Sequence, residues 1–263
     1  MTALAEYPDD VDIRAVAEFD QRYPGLALAE LVVVIAAYNE ADGIGAVLEQ
    51  MPKQCCGMPV DVLVVVDGAT DATAEVAREH GAHTCVAPRN RGQGAALRLG
   101  YQLAARHGAR YVVTTDADGQ YDGAELERLV APLAEGRADF VTGSRRLGHH
   151  ESDSRFRWLG VRFFAVLASV LTARRITDTS FGFRAMRADL ARSVRLTEPQ
   201  YQSSELLLGV TARGARTLEV PMTMRRRSHG ASKKGRDVIY GAHYARVMVR
   251  TWFREYARSG RRR

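Results

Sequence analysis

The sequence predicts an α/β fold, a mainly parallel sheet with helices on both faces. Three observations carry this. Largely apolar runs alternate with stretches of helical periodicity from Leu31 to Asp118. The runs are continuous, as expected of strands covered on both faces. Three of them end in acidic residues, at the strand ends where open α/β sheets bind ligands. With 263 residues, 46% hydrophobic and 26% charged, the chain can bury a core as one large domain with appendages.

The elements follow in order. Residues 1–29 form an acidic leader in which Val11, Ile13, Val16 and Phe19 fit one helical face until Pro24-Gly25. Leu31 to Ala37 reads as a buried strand ending in Tyr38-Asn39-Glu40. Ile44 to Met51 looks helical. Val60 to Val66 is a second strand, ending in Asp67-Gly68. Asp71 to His80 is helical, with Gly81 as its stop. His83 to Ala87 is a short strand, and Gly94 to His107 an amphipathic helix ended by Gly108. Tyr111 to Thr115 is a strand leading into Asp116-Ala117-Asp118. Beyond it are expected a strand at Asp139 to Gly143, a basic-polar stretch at Ser144 to Arg157 and an apolar helix at Trp158 to Ala173. A late strand at Thr217 to Met222 precedes a basic segment, Arg225 to Arg236. The tail Arg258 to Arg263 is expected to be disordered. The domain division is therefore leader 1–29, main α/β domain 30–236, and basic C-terminal helix and tail 237–263.

Charge and composition exclude several classes. Cys55, Cys56 and Cys85 give neither a disulfide framework nor zinc-ligand spacing. The first 30 residues lack a signal peptide's basic start and apolar core. The longest apolar stretch, Phe163 to Ala173, is 11 residues, against about 20 for a membrane span. The net charge of +6 is uneven: residues 213–263 hold 15 basic and 3 acidic residues, a net +12, against −6 for the rest. That suits a phosphate, a polyanion or an anionic lipid surface. No aromatic-basic sheet motif or recognition-helix pattern accompanies the charge, so nucleic acid is not expected as a partner.

Asp116-Ala117-Asp118-Gly119-Gln120 is the most informative stretch. In an extended or turning backbone, residues i, i+2 and i+4 face one way. Two carboxylates and an amide oxygen suit Mg²⁺ or Mn²⁺; the alternative is a solvated turn. Glu40 and Asp67 at neighbouring strand ends favour the metal. Pro88 to Gly94 reads as a loop shaped for close backbone approach to a nucleotide, or as a simple helix start. Arg227-Ser228-His229-Gly230-Ala231-Ser232-Lys233 sets a guanidinium and an ammonium around a glycine turn, suited to diphosphate oxygens or else a solvated face.

In this order, these pieces resemble the family 2 glycosyltransferases with the GT-A fold, and within them dolichol- or polyprenyl-phosphate mannosyl- and glucosyltransferases. The resemblance covers about residues 31–236. Tyr38-Asn39-Glu40 matches the Tyr-Asn-Glu motif, Asp67 to Asp71 the Asp-Asp-Gly-Ser segment, and Asp116 to Gln120 the Asp-Ala-Asp-x-Gln metal site. Gly143-Ser144-Arg145, Asp178 to Arg184 and Arg227 to Lys233 follow in register. Val66 and Ala69 stand where the family has Asp and Ser, and Phe181 where the mannosyl enzymes commonly have Ser.

The resemblance implies a GT-A, Rossmann-like sheet and a set of roles. Ala36, Tyr38, Glu40, Val65, Asp67, Asp116, Ala117, Arg227 and Lys233 would bind the nucleotide sugar. Asp116, Asp118 and Gln120 would hold Mg²⁺ or Mn²⁺. Asp118, Arg145 and Glu205 would serve catalysis, Arg145 facing the acceptor phosphate or the sugar. Glu205 is the best available carboxylate for a general base, or else a helix-capping acid.

The expected reaction is an inverting hexosyl transfer from a GDP-mannose or UDP-glucose type donor to a polyprenyl or dolichyl phosphate. The expected location is cytoplasmic, peripheral on the inner face of the membrane. Trp158 to Ala173 has too much apolar surface for an ordinary surface helix and suits a membrane interface, a core position or a dimer contact. The rivals are a soluble glycosyltransferase acting on a hydroxyl acceptor and a non-catalytic membrane-associated scaffold.

Overall fold

The computed structural model describes residues 9–151, 155–226 and 237–259. At its centre is one sheet in the order β4 (His83–Ala87), β3 (Met58–Asp67), β1 (Leu31–Ala37), β5 (Tyr111–Asp116), β7 (Arg184–Arg187), β6 (Phe140–His150) and β8 (Thr217–Met224). β2 (Gln54–Cys55) pairs antiparallel with the start of β3. The strands β4, β3, β1 and β5 run parallel, β7 runs against both β5 and β6, and β8 is parallel to β6. The sheet is mixed and largely parallel.

The apolar runs are continuous because each strand feeds two cores, one on each face. Val32, Val34, Leu63, Val65 and Val112 pack with α1 (Asp10–Arg22) and α4 (Gln93–Arg106). The same core takes side chains from α6 (Arg155–Thr172), α7 (Ala188–Ser193), α8 (Gln202–Ala212) and α9 (Asp237–Ser259). Leu31, Val33, Ile35, Val64 and Val66 face the other way, onto α2 (Ala41–Glu49), α3 (Thr73–Glu79) and α5 (Leu126–Ala134). Gly100 lets α4 lie close on the sheet, since a Cβ there would stand 2.4 Å from Val34 Cγ1.

Strands β1 and β4 occupy the residues expected of them, and β3, β5, α2, α3 and α4 differ only at their ends. Other expectations are corrected. The acidic leader is no appendage: Val11, Ala15, Val16 and Phe19 of α1 are buried in the same core as Val32 and Val34. Fully burying one such large side chain is worth roughly 1.5–3 kcal/mol, so α1 contributes to the stability of that core. The C-terminal helix is likewise integral, with Tyr244, Val247 and Met248 buried. The strand expected to stop at Gly143 continues as β6 to His150, carried by pairing with β8. Strand β7, between β5 and β6, was not expected.

Candidate active site

The strand order reverses at β1. The chain runs from β1 outward through β3 and β4, then returns to place β5 on the opposite side of β1. Such a reversal opens a crevice at the carboxyl ends of the two flanking strands. Tyr38, Asp67 and Asp116 lie at the ends of β1, β3 and β5.

The turns there are tied together. Asn39 adopts a left-handed φ of 53°, and its Oδ1 accepts from the Thr70 N–H at 2.8 Å. The Glu40 N–H donates to Thr73 Oγ1 at 2.9 Å. Tyr38 stays exposed, at 36%. The β3 end meets the loop after β4 so closely that a Cβ on Gly68, whose φ is 70°, would lie 2.1 Å from Asn90 N.

Asp67 is 3% exposed. Its Oδ2 accepts from the N–H groups of Arg91 and Gly92 at 2.7 and 2.8 Å. Its Oδ1 is buried without a hydrogen-bond partner among the described residues, 3.6 Å from Arg91 Nε. Burial raises its pKa above the ordinary aspartate value, outweighing those N–H groups and the Arg91 charge. One residue further on, Gln93 Nε2 donates to Asp116 Oδ1 at 2.7 Å. Arg91, Gly92 and Gln93, where the loop after β4 enters α4, thus touch two of the three acidic strand ends.

Asp116 and Asp118 follow one another around the end of β5. Asp118 Oδ1 accepts from the Gln120 N–H at 3.1 Å. Gln120 Nε2 donates to the Arg225 carbonyl at 3.1 Å, which leaves the amide oxygen as the one atom Gln120 could offer a metal. Gly182 lies against Asp116, where a Cβ would come within 2.7 Å of Oδ2, and its N–H donates to Tyr121 Oη at 2.8 Å. Among the described residues no group of three or more His, Cys, Asp or Glu is placed to hold a metal. Two carboxylates are nonetheless a fitting donor set for Mg²⁺ or Mn²⁺, which complete their shell with phosphate oxygens and water. The residues present fit a metal that arrives with a diphosphate.

The other expected residues divide. Ala117 is buried beside the carboxylates it separates, and Ala36 is half-buried near the end of β1. Val65 is not a ligand-facing side chain: it is fully buried beneath α4. Arg145 is 8% exposed and held by Asp178, with Nε 2.7 Å from Oδ2, while its Nη2 donates to Ser180 Oγ at 3.1 Å. Burial opposes its charge, but the Asp178 carboxylate more than restores it. Arg145 also lines a cavity of about 360 Å³ with Arg146, His149, His150 and Trp158.

Glu205 is corrected as a general base. It is fully buried, and its oxygens accept from the Thr197 N–H and hydroxyl, the Glu198 N–H and Arg254 Nη1 at 2.8–3.1 Å. Its lone pairs clamp the 197–198 turn and have no access to an acceptor's proton. Arg227 and Lys233 lie outside the described residues.

Sequence reasoning missed two contributors. The Arg91–Gln93 bridge was readable only as a loop approaching a nucleotide. Arg184 is fully buried and donates to the carbonyls of Phe181 and Thr179, at 2.5 and 2.9 Å, and of Ser203, fixing the segment that carries Gly182. The signal available was an arginine closing an otherwise apolar Phe-Gly-Phe-Arg run.

The sequence profile of Glycosyl transferase family 2 matches residues 32–195, which carry all three acidic strand ends. The chain belongs to that family. Among relatives of this family 2 chain, a dolichyl-phosphate hexose transferase from Haloferax volcanii is 34% identical over 199 residues, covering 76% of this chain and 84% of that protein. An undecaprenyl-phosphate mannosyltransferase from Micrococcus luteus is 27% identical over 228 residues, covering 80% and 89%. Among solved structures, glucosyl-3-phosphoglycerate synthase from Mycobacterium tuberculosis, in complex with Mn²⁺, UDP and glucosyl-3-phosphoglycerate, superposes with a TM-score of 0.64. The match covers 92% of this chain and 84% of that one at 20% identity. The family 2 chain therefore has a GT-A-like α/β fold, and it is a glycosyltransferase of the hexosyltransferase kind.

Proposed function

We propose that this glycosyltransferase moves a hexose, with inversion, from a nucleotide sugar of the GDP-mannose or UDP-glucose type to a polyprenyl or dolichyl phosphate at a membrane surface. The observation that carries the donor half is the loop 91–93, which ties Asp67 to Asp116 across the crevice where the strand order reverses. Asp67, at the end of β3, marks the nucleoside end of the crevice, and Tyr38 and Glu40 flank the same opening. Ala36, Val65 and Ala117 contribute backbone to that wall. Asp116 and Asp118, with the Gln120 oxygen, hold Mg²⁺ or Mn²⁺ on the donor diphosphate. When bound, the ion neutralises charge that builds on the leaving nucleoside diphosphate. Arg227 and Lys233 are assigned to the same phosphates from the sequence alone.

The acceptor half rests on charge, apolar surface and the names of the relatives. Arg145 presents a guanidinium held in place by Asp178. A phosphate monoester is already an anion near pH 7 and needs little base catalysis, in keeping with a clamped Glu205. Beside the basic cavity, α6 exposes Trp158, Leu159, Phe163, Val166 and Val170, each at least half uncovered. Their spacing puts the last four on one side of the helix, a face suited to lying in a membrane interface. Among the described residues no helix is long and apolar enough to cross a membrane. We place the protein peripherally, on the cytoplasmic face.

The test supplies polyprenyl phosphate with GDP-mannose, UDP-glucose or UDP-GlcNAc and Mg²⁺ or Mn²⁺, then looks for the sugar in the lipid phase. Lipid-linked hexose from at least one donor is expected. Equal turnover of water-soluble acceptors with no lipid product would move the reading to a soluble-acceptor enzyme, and no turnover at all would favour a scaffold.

A further inference from the structure

Arg145 stands where its strand loses its partner. Strand β6 pairs with β8 in register as far as Ser144, opposite Pro221, and resumes at His149, opposite Thr223. Residues 145–148 stand against the single residue Met222, a bulge in which the ladder leaves the Arg145 main chain to other partners. The Arg145 N–H donates to Asp178 Oδ2 at 3.3 Å. Its side chain joins the same carboxylate, with Nε 2.7 Å from Oδ2 and Nη2 3.4 Å from Oδ1. Asp178 is fully buried. The place of Arg145 is thus set by one aspartate, and the place of that aspartate by its own main chain.

Glu219 holds that main chain. It lies half-buried on β8, beside Thr142 of β6. Its Oε1 and Oε2 accept from the Thr177 N–H at 3.0 and 2.8 Å, and Oε1 accepts from the Asp178 N–H at 2.9 Å. Successive N–H groups converging on one anion form a nest, filled here by a carboxylate of the protein itself. The Ser144 and Thr177 hydroxyls, 2.6 Å apart, pin the same turn to β6 one residue before Arg145. The arrangement is costly, since burial raises the Glu219 pKa above the ordinary glutamate value, against the pull of those N–H groups and with the Asp178 charge adding to it. We propose that Glu219 is a positioning residue for the acceptor phosphate: by fixing the Thr177–Asp178 main chain, it makes Asp178 present the Arg145 guanidinium to the cavity that Arg145 shares with His149 and Trp158. Without that carboxylate the turn relaxes, Asp178 shifts, and Arg145 loses its aim. This inference rests on the reading of the cavity as the place of the acceptor's phosphate.

The test titrates polyprenyl phosphate in detergent micelles, with uncharged polyprenol as control, into the full chain and follows tryptophan fluorescence, since Trp158 lines the cavity. UDP and GDP binding with Mg²⁺ present is measured alongside. Glu219→Gln should weaken polyprenyl phosphate by about tenfold, the value of one charge-assisted hydrogen bond, and leave polyprenol, UDP and GDP as in wild type. Arg145→Ala should weaken polyprenyl phosphate as well, and adding Glu219→Gln to it should change little more, because the two act through one contact. A merely structural Glu219 would weaken all the ligands alike and add its loss to that of Arg145→Ala. Unchanged phosphate affinity in Glu219→Gln, an equal loss for polyprenol, or full additivity with Arg145→Ala overturns the proposal. If Glu219→Gln does not fold, Glu219→Asp, which keeps the charge and shortens its reach, decides, and an unchanged ratio of phosphate to polyprenol affinity there overturns it. Wild type that binds polyprenyl phosphate no better than polyprenol overturns the reading of the cavity, and this inference with it.

Discussion

Gln93 and Asp116 are joined by a 2.7 Å hydrogen bond from a side-chain amide to a carboxylate oxygen. The two residues before Gln93 hold Asp67 through their main-chain N–H groups. One short loop is therefore the common support of a carboxylate suited to a base and a carboxylate suited to a metal. Motion of that loop moves both at once, so nucleoside and metal affinities should rise and fall together in its variants.

Asp118→Ala should abolish transfer while leaving the melting temperature near that of wild type, because it removes an oxygen proposed to hold the ion on the diphosphate. Asp116→Asn should also be strongly impaired. Initial rates with and without excess EDTA check this, and activity that survives the chelator would sink the metal assignment.

Gly182→Ala should cost far more activity than stability. The new methyl would press on Asp116 Oδ2 at 2.7 Å and Tyr121 Oη at 3.0 Å. A misplacement on the order of 1 Å costs about a hundredfold in rate. Mn²⁺ titration of the rate should show weaker metal affinity; an unchanged titration curve would show that Asp116 does not hold the ion.

Glu205→Ala should behave as a stability variant. It leaves the Thr197 and Glu198 N–H groups and the Thr197 hydroxyl without their acceptor, while Arg254 keeps Glu255. At about 1–3 kcal/mol for each stranded donor, the loss is about 3–5 kcal/mol. At roughly 2–4 °C per kcal/mol for a chain of this size, the melting temperature should fall by about 6–20 °C, with kcat well below that temperature near wild type. Loss of kcat at unchanged melting temperature would restore Glu205 as a base.

Acid should weaken nucleotide binding earlier than an ordinary aspartate would. Burial raises the Asp67 pKa, so the carboxylate proposed to meet the nucleoside is neutralised while pH is still above the usual aspartate value. Binding curves between pH 7 and 4 check this, and Asp67→Asn should flatten them. Asp139 is shifted the other way, its pKa held down at about 2 by the Arg216 side chain, and it contributes to stability. That contribution is fully present above about pH 4, where the unfolded group ionises, and is lost as pH falls through about 2. Asp139→Asn should shrink the loss of stability across that window in urea unfolding.

Val166→Asp with Val170→Asp should reduce co-sedimentation with anionic vesicles and turnover of polyprenyl phosphate, while leaving nucleotide binding intact. Both residues are exposed, so the fold should tolerate the change. Vesicle binding should also weaken with salt, since each basic residue near the surface adds about 1 kcal/mol that salt screens. Binding that ignores both changes would count against the interfacial role of α6.

The parts that were legible in the sequence share a cause. β1 and β4 fell at their expected residues, with β3 and β5 close behind, because parallel strands buried on both faces cannot hide their apolar runs. Asp67 and Asp116 stood out because acids at several strand ends have little other reason to recur. β7 was illegible because arginines close it at both ends. One of them, Arg184, is buried only because three backbone carbonyls receive it. The end of β6 reads as basic loop, and it is strand through its partner β8. Glu205 looked catalytic because Arg254, its partner, lies 49 residues further along.

Strand β7 sits between β5 and β6, yet synthesis delivers it after both. As the chain leaves the ribosome, β1, β3, β4 and β5 can assemble while Tyr111–Thr114, the future seat of β7, is a bare edge. An unpaired strand edge is a template for wrong partners, and β6 is the nearest one available in a half-made chain. Chains stalled before residue 184 should therefore be protease-sensitive beyond β5 and prone to clump, and those stalled past α8 should not. The segment that brings Gly182 against Asp116 leads directly into the strand that fills this gap, so a chain cut before residue 184 lacks the pairing that seats Gly182 on Asp116.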